Sequence, residues 1–165
     1  MAQTSLSSKS ASGSRDKLGE ISYEFILLKR KKRDNDPWSG DYCLPGGFSK
    51  NLETLMETAK REFEEETGIK SSFLEYIQSM NYFEPAKGIG VKVYPFVFSL
   101  KEKKELKIGD EIEWGSFENI TSFTRGRDEV RGDAFIKGKI VIWGLTFRIL
   151  DMFFSGKKLF FDRPE

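Results

Sequence analysis

The sequence predicts an α/β layered domain, in which helices pack against a β-sheet. Two stretches have helical periodicity, residues 52–67 and 140–154, and the segments before and between them alternate apolar side chains in the manner of strands. The order along the chain is strand, helix, strands, strand, helix, without an internal repeat. This order favours one α/β domain.

The size and composition of the chain support a single packed unit. The chain has 165 residues, of which 38% are hydrophobic, enough to bury a core. We expect residues 18–165 to form one domain after a disordered, serine-rich tail at 1–17. A formal net charge of +1 gives no whole-chain field for DNA, RNA or an anionic membrane, so any polyanion must be bound locally.

Two residue types limit the chemistry. Cys43 is the only cysteine and histidine is absent, which excludes intrachain disulfides, Ser-His-Asp and Cys-His catalysis and His-ligated zinc. No apolar run approaches the roughly 20 residues that span a bilayer, and the N-terminus lacks the apolar region of a secretory signal. We therefore expect a cytoplasmic protein whose chemistry depends on carboxylates, lysines, tyrosines or a metal.

The first half of the chain reads as strand, loop, short strand and helix. Residues 21–29 alternate as a strand, residues 34–41 are turn formers, and 42–44 are a short strand that ends at Pro45-Gly46-Gly47. The helix at 52–67 has Asn51 as a plausible N-cap and Gly68 as a C-terminal glycine.

The second half adds strands and a second helix. We expect strands at 73–82 and 90–100, the latter apolar on both faces and so central in a sheet. Residues 110–117 form a short strand or its entry, and residues 140–154 form the second helix.

The first helix carries an unusual set of carboxylates. At 100° per residue, Glu66 falls inside the apolar stripe, Glu62 lies at its edge and Glu65 lies next to them. Like charge, partial burial and the helix C-terminus all oppose this arrangement. A divalent cation would offset all three effects, and Mg²⁺ or Mn²⁺ prefers such oxygen ligands. The stripe itself consists of Leu52, Leu55, Met56, Ala59 and Phe63.

A solvated acidic face is the alternative interpretation of the same residues. Glutamate is a strong helix former, and acidic runs are common on helix surfaces. Arg61 could then pair with Glu57 or Glu65 at helical spacing, and a lysine from elsewhere could neutralise the rest.

The residues before and within this helix fit a longer motif. From Gly47 the sequence reads GFSKNLETLMETAKREFEEETGI, which fits G-x5-E-x7-R-E-U-x-E-E-x-G-U, with U a bulky apolar residue. Seven fixed letters at fixed spacings arise by chance on the order of once in 10⁶ such chains. The segment resembles the Nudix box, and Leu44-Pro45-Gly46-Gly47 resembles the usual approach to it. The positions in register are Gly47, Glu53, Arg61, Glu62, Phe63, Glu65, Glu66, Gly68 and Ile69.

The resemblance implies a Nudix-type α/β/α sandwich with a mixed β-sheet and a Mg²⁺ or Mn²⁺ site. The metal ligands it implies are the carboxylates of Glu62, Glu65 and Glu66 and the carbonyl of Gly46. Arg61 and Glu53 match residues that orient the site. The implied reaction is attack of water on one phosphorus of a nucleoside diphosphate linked to X, without a phosphoenzyme.

A general base outside the box is common in the family. The carboxylate-rich turn at 109–114 offers Glu111 and then Glu113 for this role. Solvated loop carboxylates are the alternative interpretation for both.

The substrate is less defined than the reaction. Segments 36–40, 93–97 and 142–146 resemble a coenzyme A diphosphatase-like subgroup, and the resemblance then covers about residues 25–154. The upstream coenzyme A signature is matched only loosely, through Leu27, Leu28, Arg30 and Arg33. ADP-ribose and oxidised nucleoside triphosphates stay open.

Several residues are candidates for substrate binding. Arg30, Lys32 or Arg33 could pair with a 3′-phosphate, with a solvated basic turn as the alternative. Gly47 allows a close approach of the backbone to the ligand. The side chains that could stack on an adenine, or belong to the core, are Trp38, Tyr82, Phe83 and Trp114.

The sequence therefore predicts a pyrophosphohydrolase of a coenzyme A or ADP-ribose type substrate. The alternatives are a non-catalytic Nudix-fold nucleotide-binding module, a nucleoside triphosphate sanitising hydrolase and an RNA-processing enzyme. Near-neutral charge without a basic stripe argues against RNA. The resemblance also suggests a homodimer.

Overall fold

The computed structural model describes residues 2–4, 23–86 and 90–156. Within these ranges the chain forms ten strands and two α-helices, with two short 3-10 turns at Ser71–Phe73 and Ile120–Ser122. In chain order the elements are β1 (Ala2–Thr4), β2 (Glu24–Arg30), β3 (Tyr42–Cys43), β4 (Gly46–Gly47), α1 (Leu55–Thr67), β5 (Leu74–Ser79), β6 (Tyr94–Leu100), β7 (Ile112–Asn119), β8 (Thr124–Asp128), β9 (Gly132–Lys137), β10 (Ile140–Trp143) and α2 (Gly144–Ser155).

The strands form three small sheets within the described ranges. One has the order β4-β1-β6-β5, in which β1 runs parallel to β6 and antiparallel to β4. The others have the orders β3-β2-β7 and β10-β9-β8, with antiparallel pairing throughout. The prediction of a mixed sheet is confirmed, and β6 is an interior strand as its two apolar faces predicted.

Strand β2 separates two hydrophobic cores. Phe25 and Leu27 pack into the core that includes the apolar face of α2. Ile26 and Leu28 alternate to the other side, into the core that includes Phe63 of α1. Because successive side chains of one strand reach both cores, the strands lie between the two helices, and the predicted α/β/α arrangement is confirmed.

Helix α1 begins three residues later than predicted. Thr54 is the N-cap: its side chain accepts from the Glu57 backbone N–H, and the Glu57 side chain accepts from the Thr54 N–H, which makes a capping box. Leu52 has a φ of 69° and a fully exposed side chain, so its assignment to the apolar stripe was wrong. The helix begins at the capping box because the box satisfies two backbone N–H donors, those of Thr54 and Glu57. A cap at Asn51 would leave these two donors open.

The predicted end of α1 is confirmed. Gly68 has a φ of 70° and its N–H donates to the Glu64 carbonyl at 3.0 Å. The following chain returns to this end, where Lys107 N–H donates to the Thr67 carbonyl at 2.8 Å. A Cβ at Gly68 would lie 2.7 Å from the Lys107 backbone oxygen, so glycine serves the contact as well as the turn.

The second predicted helix was wrong in its first four residues. Ile140–Trp143 form β10, which pairs with β9, and the helix begins at Gly144 with a φ of 61°. The hairpin of β8 and β9 was not predicted. Its partner β10 had a signal, because Gly138-Lys139 separates two apolar runs and is a two-residue hairpin loop.

The predicted disordered tail at 1–17 lies largely outside the described residues. Ala2–Thr4 do form a strand, because backbone pairing with β4 and β6 does not require apolar side chains; the prediction of disorder is wrong for these three residues. The domain boundary at 18 and the span 18–165 stay predictions. In the part of the chain that the structure describes, no helix is long and apolar enough to cross a membrane.

Candidate active site

The carboxylate of Glu66 is buried at the turn that precedes α1. Its side chain is 5% exposed, as the helical angle predicted, and its Oε2 accepts from the Gly46 N–H at 2.9 Å. Burial, together with the charges of Glu62 and Glu111, raises the pKa of Glu66 to about 8, against the Gly46 hydrogen bond and the positive charge of Arg30. Glu66 is thus a buried acid that makes only this one hydrogen bond within the described residues.

Glu62 lies against the second glycine of the turn. A Cβ on Gly47 would stand 2.5 Å from Glu62 Cδ and 2.6 Å from its Oε1, closer than real side chains approach. The carboxylate therefore occupies the space that any other residue at 47 would fill. The expected approach of the Gly47 backbone to a ligand stays a prediction, and the group that lies against Gly47 in this structure is the Glu62 carboxylate.

Arg61 joins the remaining box carboxylates. It pairs with Glu53 through Nε at 2.6 Å, with Glu62 at 2.6 Å and with Glu65 at 3.1 Å. The hydrogen bond from Arg61 lowers the pKa of Glu53 to about 2, so Glu53 stays ionised. Glu65 also has Lys50 at 3.6 Å, and it is half exposed.

The charge pairing that the solvated-face interpretation required is thus partly present. Arg61 meets Glu65 as expected, while Glu57 instead caps α1. Glu66, however, has no cation in hydrogen-bonding contact among the described residues. Arg61 therefore neutralises the outer carboxylates, those of Glu53, Glu62 and Glu65, and does not pair with the inner one, Glu66.

The carboxylate and carbonyl oxygens of the site are of the type that binds a hard divalent cation. In their present positions they do not surround one point. Carboxylate and carbonyl oxygens are the ligands that Mg²⁺ and Mn²⁺ prefer. Glu66 is buried and short of positive charge, next to the charge of Glu62. Glu62 and Glu65 are turned toward Arg61, and within the described ranges no three acidic or cysteine side chains stand close enough to hold a metal.

The carboxylate of Glu111 lies between two arginines near Glu66. It pairs with Arg33 at 3.1 Å and with Arg30 at 3.7 Å, is half exposed, and its charge helps to raise the pKa of Glu66. Glu113 pairs with Lys29 at 3.3 Å instead. Of the two candidate bases, Glu111 is thus the one whose charge reaches Glu66.

A pocket with a cavity volume of about 140 Å³, open to solvent, lies beside these residues. Three of the predicted site residues line it: Arg30, Trp38 and Gly46. Arg33 and Gly47 do not line it, and Arg33 is linked to the pocket wall only through Glu111, whose carboxylate also pairs with Arg30.

The pocket residues that were not predicted as binding residues include Asp41 and Thr146. In the sequence, Asp41 is one of several turn-forming residues of the predicted loop at 34–41, so nothing marked it as a binding residue. Thr146 fell inside the predicted helix 140–154, so the sequence did not reveal that a helix N-terminus opens there. Cys43 also lines the pocket, and burial raises the pKa of its thiol far above the usual range, which keeps it protonated and unreactive.

The other aromatic candidates lie elsewhere. Phe83 is 5% exposed and belongs to the core, which is the second of the two roles that the sequence left open for it. Trp114 packs edge-on against Tyr42 with ring centroids 5.8 Å apart. Tyr82 is exposed next to Lys92, at 4.6 Å. Trp38 alone among the four lines the pocket.

Comparison with known proteins places this geometry in context. The family model for the NUDIX domain matches residues 16–135. An ADP-ribose pyrophosphatase from Methanocaldococcus jannaschii is 32% identical over 113 residues, which are 67% of this chain and 63% of that protein. The chain therefore spans less than two thirds of the length of this relative.

Solved structures show the same fold. A Nudix hydrolase from M. Smegmatis superimposes with a TM-score of 0.61 over 98% of this chain and 88% of its own, at 12% identity. A MutT/nudix family protein from Enterococcus faecalis gives 0.58 over 94% of this chain and 60% of its own, at 18% identity. At these identities the likeness concerns the fold alone.

Proposed function

Because the chain belongs to the NUDIX domain family, we propose that it is a metal-dependent pyrophosphohydrolase of nucleoside diphosphates linked to X, with ADP-ribose as the first candidate. The observation that carries the proposal is the buried Glu66 carboxylate beside Glu62, at a glycine turn whose Gly46 lines an open pocket. The relative from Methanocaldococcus jannaschii, an ADP-ribose pyrophosphatase, supports the substrate class.

The proposed metal ligands are Glu62, Glu65, Glu66 and the carbonyl of Gly46. When bound, Mg²⁺ or Mn²⁺ would neutralise the charge of the diphosphate and polarise its phosphorus. Arg61 has a second partner in Glu53, with contacts at 2.6 and 3.0 Å, so it stays anchored when Glu62 and Glu65 turn to the metal. Its role is to position the outer carboxylates.

Glu111 is the proposed general base. It takes a proton from the water that attacks one phosphorus, and the bond from that phosphorus to the bridging oxygen breaks. The products are a nucleoside monophosphate and phosphorylated X. The diphosphate would engage Arg30 and Arg33, which now hold Glu111, so substrate binding itself releases the base.

The substrate panel for the test contains ADP-ribose, coenzyme A, NADH, dinucleoside polyphosphates and oxidised dGTP, each with Mg²⁺. We expect release of a nucleoside monophosphate or bisphosphate, greatest with ADP-ribose, and none with excess EDTA. Glu65→Gln and Glu66→Gln should each lower kcat/KM at least ~100-fold, as loss of a metal ligand does.

The matched control is Glu64→Gln on the same helix. Glu64 is exposed and its carboxylate accepts only from the Ser71 N–H, which a glutamine can replace. Wild-type rates in both the Glu65 and the Glu66 variants would contradict the proposal. Binding of the panel without turnover would favour the nucleotide-binding module instead.

Coenzyme A ranks below ADP-ribose on one observation. Arg30 and Arg33, the expected partners of its 3′-phosphate, are held by Glu111, and Arg30 also faces Asp36 at 3.7 Å. Because the diphosphate would already take these two guanidinium groups from Glu111, a further phosphate there would meet the carboxylates of Asp36 and Glu111. The cytoplasmic location and the homodimer stay predictions from the sequence.

A further inference from the structure

The start of α2 forms part of the pocket wall. The helix begins at Gly144, and no side chain caps its first turn, so its first backbone N–H groups are open donors at the pocket wall. Thr146, in the same turn, is 6% exposed and lines the pocket. Its hydroxyl makes no hydrogen bond with any described residue, which is costly for a buried polar group unless a ligand completes it.

Asp41 supplies a charged hydrogen-bond acceptor in the same pocket, whereas the first turn of α2 supplies donors. Its Oδ1 accepts from the indole N–H of Trp143 at 3.2 Å, and that tryptophan also lines the pocket. Its Oδ2 has neither a hydrogen bond nor an ion pair within the described part of the chain. The pocket thus offers one charged acceptor and one set of donors, and the aromatic side chains of Trp38 and Trp143 also line it.

We propose that Asp41 and Thr146 select adenine by reading its Watson–Crick edge. The Oδ2 of Asp41 accepts from the 6-amino group, and the Thr146 hydroxyl donates to ring N1. The proposal rests on the proposed function for one point, that the diphosphate lies at the Gly46 end. Arg30, at the pocket wall, then faces the phosphates, and the two tryptophans supply apolar surface for the ring.

The polarity of the pair excludes bases that carry a carbonyl and a ring N–H at this edge. Guanine and hypoxanthine carry a carbonyl at position 6 and an N–H at position 1, so their oxygen would face the Asp41 carboxylate without a donor between them. Uracil has the same reversed order. A second phosphate would meet the charge of Asp41 in an apolar surrounding. Adenine presents its donor to Asp41 and its acceptor to Thr146.

The test compares ADP-ribose with its hypoxanthine analogue, in which only the 6-amino group is replaced. With the full chain and Mg²⁺, we expect kcat/KM at least about tenfold higher for ADP-ribose, as for loss of a hydrogen bond to a charged group. Asp41→Asn should reverse the preference. Its amide oxygen still accepts from Trp143, while its amide N–H₂ now donates to the 6-carbonyl.

Thr146→Val is the second variant and keeps the shape of the side chain. We expect a severalfold higher KM for ADP-ribose with kcat nearly unchanged, since the hydrogen bond to the ring is lost equally in the ground state and the transition state. Asp151→Asn is the matched control, because Asp151 pairs with Arg125 on the surface of α2, outside the pocket. It should leave the base preference as in the wild type.

Direct binding separates this inference from the hydrolase proposal. AMP and IMP are titrated against the metal-free protein by calorimetry, with no turnover required. Stronger binding of AMP, inverted in Asp41→Asn, supports the base reading even if no substrate is cleaved. Equal binding and equal cleavage of the two bases in wild type and Asp41→Asn would overturn it while the hydrolase stands.

Discussion

At residue 47 the absence of a side chain fixes the position of a carboxylate. Glu62 occupies the space where a Cβ would lie, and Arg61 holds the same carboxylate from the other side at 2.6 Å. The helical angle predicted that Glu66 would be buried and Glu62 would lie at the edge, because both follow from the period of one helix. The pairing of Arg61 with Glu53 was not predictable in the same way, since it depends on the path of the loop before α1.

Gly47→Ala should disable the site with a modest loss of stability. The added methyl group would meet Glu62 Cδ at 2.5 Å, so the carboxylate must move away from the turn. We expect kcat/KM to fall at least about tenfold and the free energy of unfolding to fall by about 1–3 kcal/mol, as for overpacking. Turnover of ADP-ribose and urea denaturation measure the two effects.

Gly126→Ala is the control for this prediction. Gly126 lies in β8, and a Cβ there would meet only Ile136 Cδ1 at 3.8 Å, an ordinary contact. It should keep wild-type turnover. If Gly47→Ala were as active as Gly126→Ala, the position of Glu62 at the turn would have no part in catalysis.

At the scale of elements, the ends of the helices decide what reaches the site. The capping box of Thr54 and Glu57 starts α1 at Leu55 and leaves Leu52 in solvent. The start of α2 at Gly144, directly after a paired strand, puts an open helix turn at the pocket. Helical periodicity predicted both helices, but neither start, because a start depends on local hydrogen bonds and on the pairing of β10 with β9.

Thr54→Ala should destabilise the protein, whereas Asn51→Ala should not. Asn51 is exposed and lies outside the helix, so its replacement removes no cap. The Thr54→Ala variant loses the hydrogen bond that the Thr54 side chain accepts from the Glu57 N–H, which is worth about 1 kcal/mol. For a chain of 165 residues this corresponds to a fall in Tm of about 2–4 °C. Thermal melts followed by circular dichroism compare the two variants, and equal Tm values would contradict the assignment of the cap.

At the scale of the whole molecule, one strand organises both cores and the site. Strand β2 sends Phe25 and Leu27 to one core and Ile26 and Leu28 to the other, and it ends at Arg30 in the pocket wall. The sequence predicted the layers because the order of periodic segments determines them. It did not predict the hairpin of β8 and β9, whose residues such as Thr124 and Arg127 are exposed and lack a strong apolar alternation. The pocket is built from segments far apart in the chain, so Asp41 and Thr146 carried no sequence signal for their meeting.

The stability of the metal-free protein should fall as the pH rises from about 5 to 8. Glu66 has a pKa of about 8 in the folded protein against an ordinary value of 4.5, so within this window the folded state keeps a proton that the unfolded state has released. Its stabilising contribution is therefore complete below pH 4.5 and is lost as the pH passes 8. Glu53 has the opposite shift, with a folded pKa of about 2, and its contribution is constant above pH 5.

In EDTA we expect the Tm of the wild type to fall by at least about 5 °C more than that of Glu66→Gln between pH 5.5 and 8.5. Added Mg²⁺ should restore the wild type at pH 8.5 and leave the variant nearly unchanged, because a cation stabilises the folded state only where it finds the ionised carboxylate. Parallel pH profiles for the two proteins would show that the Glu66 carboxyl is ionised in the fold at neutral pH, contrary to its burial.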